Sequence, residues 1–446
     1  MSAGGVLILM SVLFLTFGYM GVPVVFALIA GVLVATSLTP VSMQSMIGQL
    51  FHGIDSETLL AVPFFLLVGE LMASSDVATR MIRLSQTLVG HLRGGLAQVV
   101  TLFSMFFAGI SGSSVADVAV LSRTIAYDMA REGYDRAFTA ALIASASTMA
   151  NLIPPSIMAV VYGATGDVSI GGLFLAGVVP GVLIGIGLMV YSYFLGPIGV
   201  MKKRSTLTEV AIAARGSALP LVIPVIIMGG ILSGWFTPTE AGMVAAMYIL
   251  VVLIPGLNRS HIKELPRDFM YAGLLYSLPL GAVAGASAFG WMVAYLRGPD
   301  IVASYITSFA GNDGTMIMFL LVALFVIVGD FIDAVPAIII FMPIIRKLAE
   351  VGNINSLHMG VVIITTLVFG LVTPPYGLSL LVASKYVGVG FGKAVVRSLP
   401  LYIVFFLTIA FTVMAPRVIL WLPKQFLPES VGCFKSPSGT GYICPP

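Results

Sequence analysis

No Lys, Arg, Asp or Glu occurs before Asp55, and that absence constrains the fold more than any other feature of the chain. A cleavable secretion signal needs a positively charged start and a short apolar core, so this uncharged N-terminus reads as retained membrane segments. The rest of the sequence agrees: 59% of residues are hydrophobic, 9% are charged and the mean hydropathy is +1.07. Soluble domains run near ~45–50% apolar and ~25% charged, so a water-soluble enzyme is excluded. At about 20 residues per helical crossing, the length allows on the order of ten crossings joined by short loops. The fold class expected is an all-α polytopic protein of the lipid bilayer.

Uninterrupted apolar runs place spans at 5–20, 22–38, 58–73, 172–196, 219–235, 238–256, 269–294 and 394–416. Four further runs are interrupted. The stretches 96–121 and 315–343 carry Gly109-Ile110-Ser111-Gly112-Ser113-Ser114 and Gly329-Asp330-Phe331-Ile332-Asp333 near their middles. Non-helical backbone at membrane depth is tolerated only where it is buried in protein or lines a cavity. Each stretch is therefore read as a re-entrant helical hairpin. The stretches 137–163 and 357–384 each contain a Pro-Pro pair, Pro154-Pro155 and Pro374-Pro375. Proline removes a donor and clashes with the preceding turn, so these are read as helices broken in two.

Short cytoplasmic loops carry excess Lys and Arg. With re-entrant hairpins and the N-terminus outside, 16 basic residues fall on one side, including Arg80, Arg123, Arg136, Lys202, Lys203, Arg204, Lys385 and Arg397. Six fall on the other: Arg297, Arg346, Lys347, Arg417, Lys424 and Lys435. The stretches 39–57, 164–171 and 236–237 on that second side hold none. Both termini are thus expected in the periplasm, with Cys433 and Cys444 in a tail where a disulfide is chemically permitted.

Three landmarks recur at one spacing of 220 positions: Gly109 and Gly329, Pro154-Pro155 and Pro374-Pro375, Pro180 and Pro400. Each half makes an odd number of crossings around its hairpin, so the second is inserted upside down. The expected organisation is a first inverted repeat at 1–196, a cytoplasmic linker at 197–218, a second repeat at 219–416 and a periplasmic tail at 417–446. Inverted repeats with discontinuous helices near the midplane are a transporter architecture. Exposed helix N-termini attract an anion, and free carbonyls with Ser/Thr hydroxyls suit a small cation such as Na⁺.

Other chemistry finds little footing. His52, His91, His261 and His358 are far apart and show no metal-ligand spacing. Gly388-Val389-Gly390-Phe391-Gly392-Lys393 lacks the spacing of a phosphate loop. No Ser/His/Asp arrangement suggests a hydrolase, no organic cofactor is implied, and a net charge of +3 is too weak and dispersed for nucleic acid.

The run from Phe107 to Asp117, the segment Ile153-Pro154-Pro155-Ser156 followed by Tyr162-Gly163, the run Gly329 to Asp333, and Thr373-Pro374-Pro375-Tyr376-Gly377 together carry a resemblance. They resemble the large, DctM-like membrane subunit of tripartite ATP-independent periplasmic (TRAP) transporters, over nearly the whole chain up to the tail. The resemblance implies a bacterial inner-membrane secondary transporter of elevator type, in which hairpins and broken helices move against a fixed scaffold. It implies Na⁺ as coupling ion, a small membrane subunit, a periplasmic substrate-binding protein and a small organic anion, typically a carboxylate. A stand-alone or proton-coupled carboxylate carrier of similar architecture is the alternative.

By the same resemblance Ser111 and Ser114, with the backbone around Ala150 and Pro155, are sodium ligands of one site. Gly329, Gly370, Thr373 and Tyr376 are those of the repeat-related site. Two positions depart from the usual pattern: Ala150 stands where the family has Gly, and Asp330 where it has an apolar residue. Asp330 is thereby a candidate for proton coupling or cation binding. Ser113 and Asn151 are candidate substrate contacts, against the plainer readings of close helix packing and of satisfying a freed carbonyl. Asp333 either contacts substrate or cation or caps a half-helix, and Asp117 orients its hairpin. Glu70 is expected to pair with Arg80 or Arg83.

Overall fold

The computed structural model describes residues 2–74, 77–197, 203–435 and 442–443. The described chain is helical throughout, apart from a two-residue antiparallel pairing in the tail. Its scarce polar residues are concentrated where helices begin, since the first four N–H groups of a helix have no partner within it. Ser2, Ser42, Asp135, Ser156, Ser169, Asp313 and Asn355 each accept a hydrogen bond from the first turn they precede. Thr206 with Glu209, and Thr237 with Glu240, close reciprocal capping boxes. Each such cap stabilises a helix start by ~1 kcal/mol.

Both interrupted classes of segment are divided into two helices where the sequence marks a turn or a break. The first hairpin is Gly95–Ser111 and Ser114–Thr124; the second is Gly314–Phe331 and Ala334–Val351. The first broken helix is Arg136–Ser147, continued as a 3-10 turn over Thr148–Asn151, then Ile157–Gly166; the second is Ser356–Gly370 and Leu378–Val387. Helices Ile170–Phe194 and Phe391–Met414 follow. From Gly95 to Gly314, Ser114 to Ala334, Arg136 to Ser356, Ile157 to Leu378 and Ile170 to Phe391, the starts shift by 219 to 221 positions.

The two halves interlock. The first arm of each hairpin packs on the first half of its own broken helix. The second arm packs on the second half of the other one, Ser114–Thr124 on Leu378–Val387 and Ala334–Val351 on Ile157–Gly166. Arg136–Ser147 and Ser356–Gly370 are buried along nearly their whole length, as expected of helices apolar all round. Exposed apolar side chains such as Ile8, Phe26, Val225 and Leu407 form an outer surface suited to hydrocarbon. Among the described residues, six helices are long and apolar enough to cross a membrane, seven if Ala61–Ser74 and Val77–Val89 count as one bent span.

Four differences from the sequence reading share a cause. The loop 39–57 contains helix Met43–Ile54, the polar stretch after 73 contains Val77–Val89, and Gly298–Ala310 is helical ahead of the second hairpin. The segment read as linker is helical from Leu207, in one helix running to Leu232, while 198–202 lie outside the described residues. These segments are amphipathic or begin in a polar turn, and a search for continuous apolar runs passes over them.

Contacts between distant loops join residues that the basic-residue count assigns to one side. Arg397 pairs with Asp135 at 3.0 Å, Lys347 with Asp300 at 3.9 Å, and Arg346 with Asp167. Ser217 Oγ donates to the Arg80 carbonyl at 3.2 Å, and Thr239 Oγ1 to that of Glu57 at 2.8 Å. Arg123 donates to Tyr386 OH at 3.1 Å. The charges that act on Glu70 include those of Asp268, Arg123 and Arg267, which stand on other elements than Arg80 and Arg83.

Candidate functional site

Each hairpin tip meets a Pro-Pro break, and the two junctions form the candidate site. Both Pro-Pro bonds are cis. At the first junction, Gly112 sits at φ +60°, and a Cβ there would lie 2.6 Å from the Pro155 carbonyl oxygen. Only glycine permits both the left-handed turn and that approach. Gly109 faces the Pro154 carbonyl oxygen, 3.7 Å from where its Cβ would be. The hairpin turn is thus laid directly over the carbonyls of the Pro154-Pro155 break.

Ser111, Ser114, Asp117, Ala150, Asn151 and Ser156 are all buried there. Ser111 Oγ donates to Asp117 Oδ1 at 2.5 Å, so Asp117 does orient the tip. Ser114 Oγ accepts from Ser379 Oγ at 3.2 Å, across to the other broken helix. Ser156 Oγ donates to the Asn151 carbonyl at 2.5 Å and accepts the Ala159 N–H at 3.2 Å, tying the two sides of the break together. Asp117 Oδ2 and Asn151 Nδ2 are buried and have no hydrogen-bond partner among the described residues. Ser113 precedes the second arm without capping it through its side chain, so its hydroxyl is not committed to the helix.

The second junction is built from the same landmarks with different side chains. Gly329 and Gly370 touch through backbone: a Cβ on Gly370 would lie 2.6 Å from the Gly329 carbonyl oxygen. Thr373 Oγ1 donates to Asp330 Oδ1 at 2.5 Å and also reaches the Phe369 carbonyl at 3.2 Å. The Tyr376 N–H donates to the Asp330 carbonyl at 3.2 Å. Asp330 therefore holds both sides of the break, one through its side chain and one through its backbone. Asp333 Oδ1 accepts the Ala334 N–H at 2.8 Å and caps the second arm. Tyr402 OH, missed in the sequence, donates to the Val372 carbonyl at 2.6 Å and supports the break from below. Its only signal was a hydroxyl in a largely apolar helix.

The residues expected from sequence thus fall into two groups. Ser111, Ser113, Ser114, Ala150, Asn151 and Pro155 gather at the first junction, and Gly329, Asp330, Asp333, Gly370, Thr373 and Tyr376 at the second. A third cluster brings a Ser, a His and an Asp together elsewhere in the fold. Ser74 Oγ lies 3.2 Å from His261 Nε2 and donates to Asp268 Oδ2 at 3.1 Å, and His261 Nε2 lies 2.7 Å from the same oxygen. A catalytic relay needs serine and carboxylate on opposite ring nitrogens. Here both contact Nε2, so the cluster fastens helix ends and does not activate a nucleophile.

Comparison with known proteins agrees with this architecture. The family described as tripartite ATP-independent periplasmic transporter, DctM component, matches residues 10–418. The C4-dicarboxylate TRAP transporter large permease protein DctM of Pseudomonas aeruginosa is 36% identical over 398 residues, covering 89% of this chain and 93% of that protein. The sialic acid TRAP transporter large permease protein SiaM of Vibrio cholerae is 35% identical over 423 residues, covering 92% and 96%. The 2,3-diketo-L-gulonate TRAP transporter large permease protein YiaN of Escherichia coli is 32% identical over 410 residues, covering 91% and 96%. Among solved structures, the Alcanivorax borkumensis YdaH transporter superposes with a TM-score of 0.57 at 13% identity, over 84% of this chain and 88% of that one. That likeness concerns the fold alone. The two hairpin-and-break junctions, the multi-pass helical fold and the sequence match place this chain in the DctM component family of tripartite ATP-independent periplasmic transporters, as a membrane permease and not an enzyme.

Proposed function

We propose that this permease imports a small organic acid across the bacterial inner membrane, driven by sodium, as its hairpins and broken helices move together against the remaining helices. The observation that carries the reading is the pair of junctions where a hairpin tip lies on a Pro-Pro break lined with oxygen donors. Hydroxyl and carbonyl oxygens are the donors Na⁺ prefers at such discontinuities. Ser111 gives its hydrogen to Asp117, and Thr373 gives its hydrogen to Asp330, so both oxygens keep lone pairs for a cation. Ser114 and the carbonyls around Ala150 and Pro155 complete the first proposed sodium site; Gly329, Gly370 and Tyr376 complete the second.

Substrate contact is assigned to the first junction, where Ser113 and Asn151 Nδ2 offer uncommitted groups, and to Asp333, which caps the second arm of the other hairpin. The named relatives handle a C4-dicarboxylate, sialic acid and 2,3-diketo-L-gulonate, all organic acids, and a small organic acid is the class proposed here. A small membrane subunit and a periplasmic binding protein that delivers the substrate are the proposed partners. Both termini are placed in the periplasm. The disulfide at Cys433 supports that placement, because such bonds persist in oxidising compartments. Cys444, the chain's other cysteine, lies outside the described residues.

Uptake of labelled organic acids into proteoliposomes tests the whole reading. Accumulation is expected only with an inward sodium gradient, the small subunit and the binding protein together. Uptake driven by a proton gradient without the soluble protein would replace it with a stand-alone carrier, for which Asp330, a carboxylate at the second tip, is the favouring residue. In that case Asp330→Asn removes the response to a pH gradient.

A further inference from the structure

The first proposed sodium site is bordered by a helix that belongs neither to its hairpin nor to its break. Ala61–Ser74 packs against both arms of the first hairpin, Gly95–Ser111 and Ser114–Thr124. The approach is tight at Gly69, which is buried. A Cβ there would lie 3.0 Å from the Ser111 carbonyl oxygen, 3.4 Å from its Cα and 3.5 Å from its Cβ. A glycine inside a helix is unfavourable to the helix itself, so its place is explained by what it permits. Here it lets two backbones meet, as small residues do between membrane helices.

Ser111 is the last residue of its arm, and the carbonyls at a helix end have no partner within the helix. Among the described residues no hydrogen bond reaches the Ser111 carbonyl. The hydroxyl of the same residue gives its hydrogen to Asp117. The tip has little room to retreat from Gly69. Gly109 faces Pro224 Cγ of Leu207–Leu232, 3.3 Å from where its Cβ would be, and Gly112 abuts the Pro155 carbonyl. A methyl on Gly69 therefore displaces the Ser111 peptide by a few tenths of an ångström.

The other half supplies a contrast. Gly290, at the same repeat spacing, lies in Leu265–Tyr295 and also meets the backbone of a hairpin. A Cβ there would lie 3.1 Å from the Ile339 carbonyl oxygen. Ile339 is inside the arm Ala334–Val351, beyond the tip and apart from every proposed ligand. The steric demand is similar at the two glycines, but only Gly69 bears on a residue that the sodium reading uses.

We propose that Gly69 is a positioning residue for the first sodium site, its missing side chain leaving the Ser111 carbonyl and hydroxyl where one cation can take both. The inference rests on the sodium reading above and adds a residue outside both junctions on which that site's affinity depends. Neighbours that orient the ligands of a metal ion typically change its affinity on the order of tenfold or more when they are altered.

Sodium titrations of uptake in proteoliposomes, with the partner proteins present, test this with Gly69→Ala and Gly290→Ala. Gly69→Ala is expected to raise the sodium concentration for half-maximal uptake about tenfold, with the maximal rate at saturating sodium within about twofold of wild type. Gly290→Ala is expected to leave that concentration unchanged, any loss falling on the maximal rate. Melting of the full-length protein in nanodiscs against sodium concentration gives a readout free of turnover. A bound ion stabilises by mass action, so the curve for Gly69→Ala is expected to move to higher sodium by the same factor. Unchanged sodium dependence in Gly69→Ala, with or without a lower maximal rate, makes Gly69 a packing residue only and overturns the proposal. A variant that does not fold at any sodium concentration overturns it too, as does an equal sodium shift in Gly290→Ala. Wild-type uptake and melting that both ignore sodium overturn the sodium reading itself, and this inference with it.

Discussion

The first junction is sealed and the second is open. Pro154, Pro155 and Ser156 are buried, whereas Pro374 and Pro375 are exposed and Tyr376 is half-buried. The polar pairs differ in the same sense. Ser111 and Asp117 both belong to the first hairpin, so their bond shapes the tip alone. Asp330 and Thr373 belong to different elements, so their bond joins the second tip to its break. Where Ser114 meets Ser379 across the halves, the positions 220 residues away are Ala334 and Ala159. Backbone landmarks can thus recur while side-chain chemistry diverges. Glycines and prolines are held by sterics that few residues satisfy, and the oxygens around a cation come from many combinations of side chain and carbonyl.

The sharpest way to break this comparison is at the glycine pair. Gly370→Ala drives a methyl into the Gly329 backbone at 2.6 Å, where nothing flexible can yield. Overpacking of this kind costs ~1–3 kcal/mol, and near-complete loss of uptake is expected, with a lowered melting temperature. Ala150→Gly at the corresponding first-junction position should retain most activity, because the native methyl is already accommodated there. If both substitutions behave alike in an uptake assay, the two junctions are closer in packing than their contacts indicate.

Next in size is Asp117→Ala. It leaves a fully buried Ser111 hydroxyl without its acceptor, a loss of ~1–3 kcal/mol, and should raise the sodium concentration for half-maximal uptake at least tenfold. Thr373→Val removes the equivalent donor at the half-exposed Asp330, where water can substitute. A rise of about threefold to tenfold is expected, measured in the same sodium titration. A larger effect at Thr373 than at Asp117 would reverse the order of the two junctions. Smallest is Ser379→Ala, which removes a single neutral contact at 3.2 Å and should shift stability by no more than ~1 kcal/mol.

Much of the site was legible in the chain before any coordinates. Gly112, the Pro-Pro pairs and the serine run announce a turn, two breaks and a hydroxyl cluster because each has few alternatives inside a bilayer. Asn355 and Tyr402 were not legible. Their value lies in contacts to Val431 and Val372, and nothing local to either residue announces those distant partners. The triplet Ser74, His261 and Asp268 shows the same limit, since Ser74 is 187 positions from His261. The helices Met43–Ile54, Val77–Val89 and Gly298–Ala310 were in principle readable from period rather than from apolar run length.

By itself the sequence determined the membrane class, the two hairpins, the two broken helices, the recurrence at 220 positions and the residues at the tips. Those follow from local rules: apolar length, proline's missing donor and glycine's access to positive φ. Only the tertiary structure decided that each hairpin's second arm packs on the other half's broken helix and that Asp330 clasps Thr373 while Asp117 holds Ser111. It alone showed the tail docked at Asn355. Such pairings are chosen by shape and by the need to satisfy buried polar groups across distant segments, and no stretch of sequence carries that information alone.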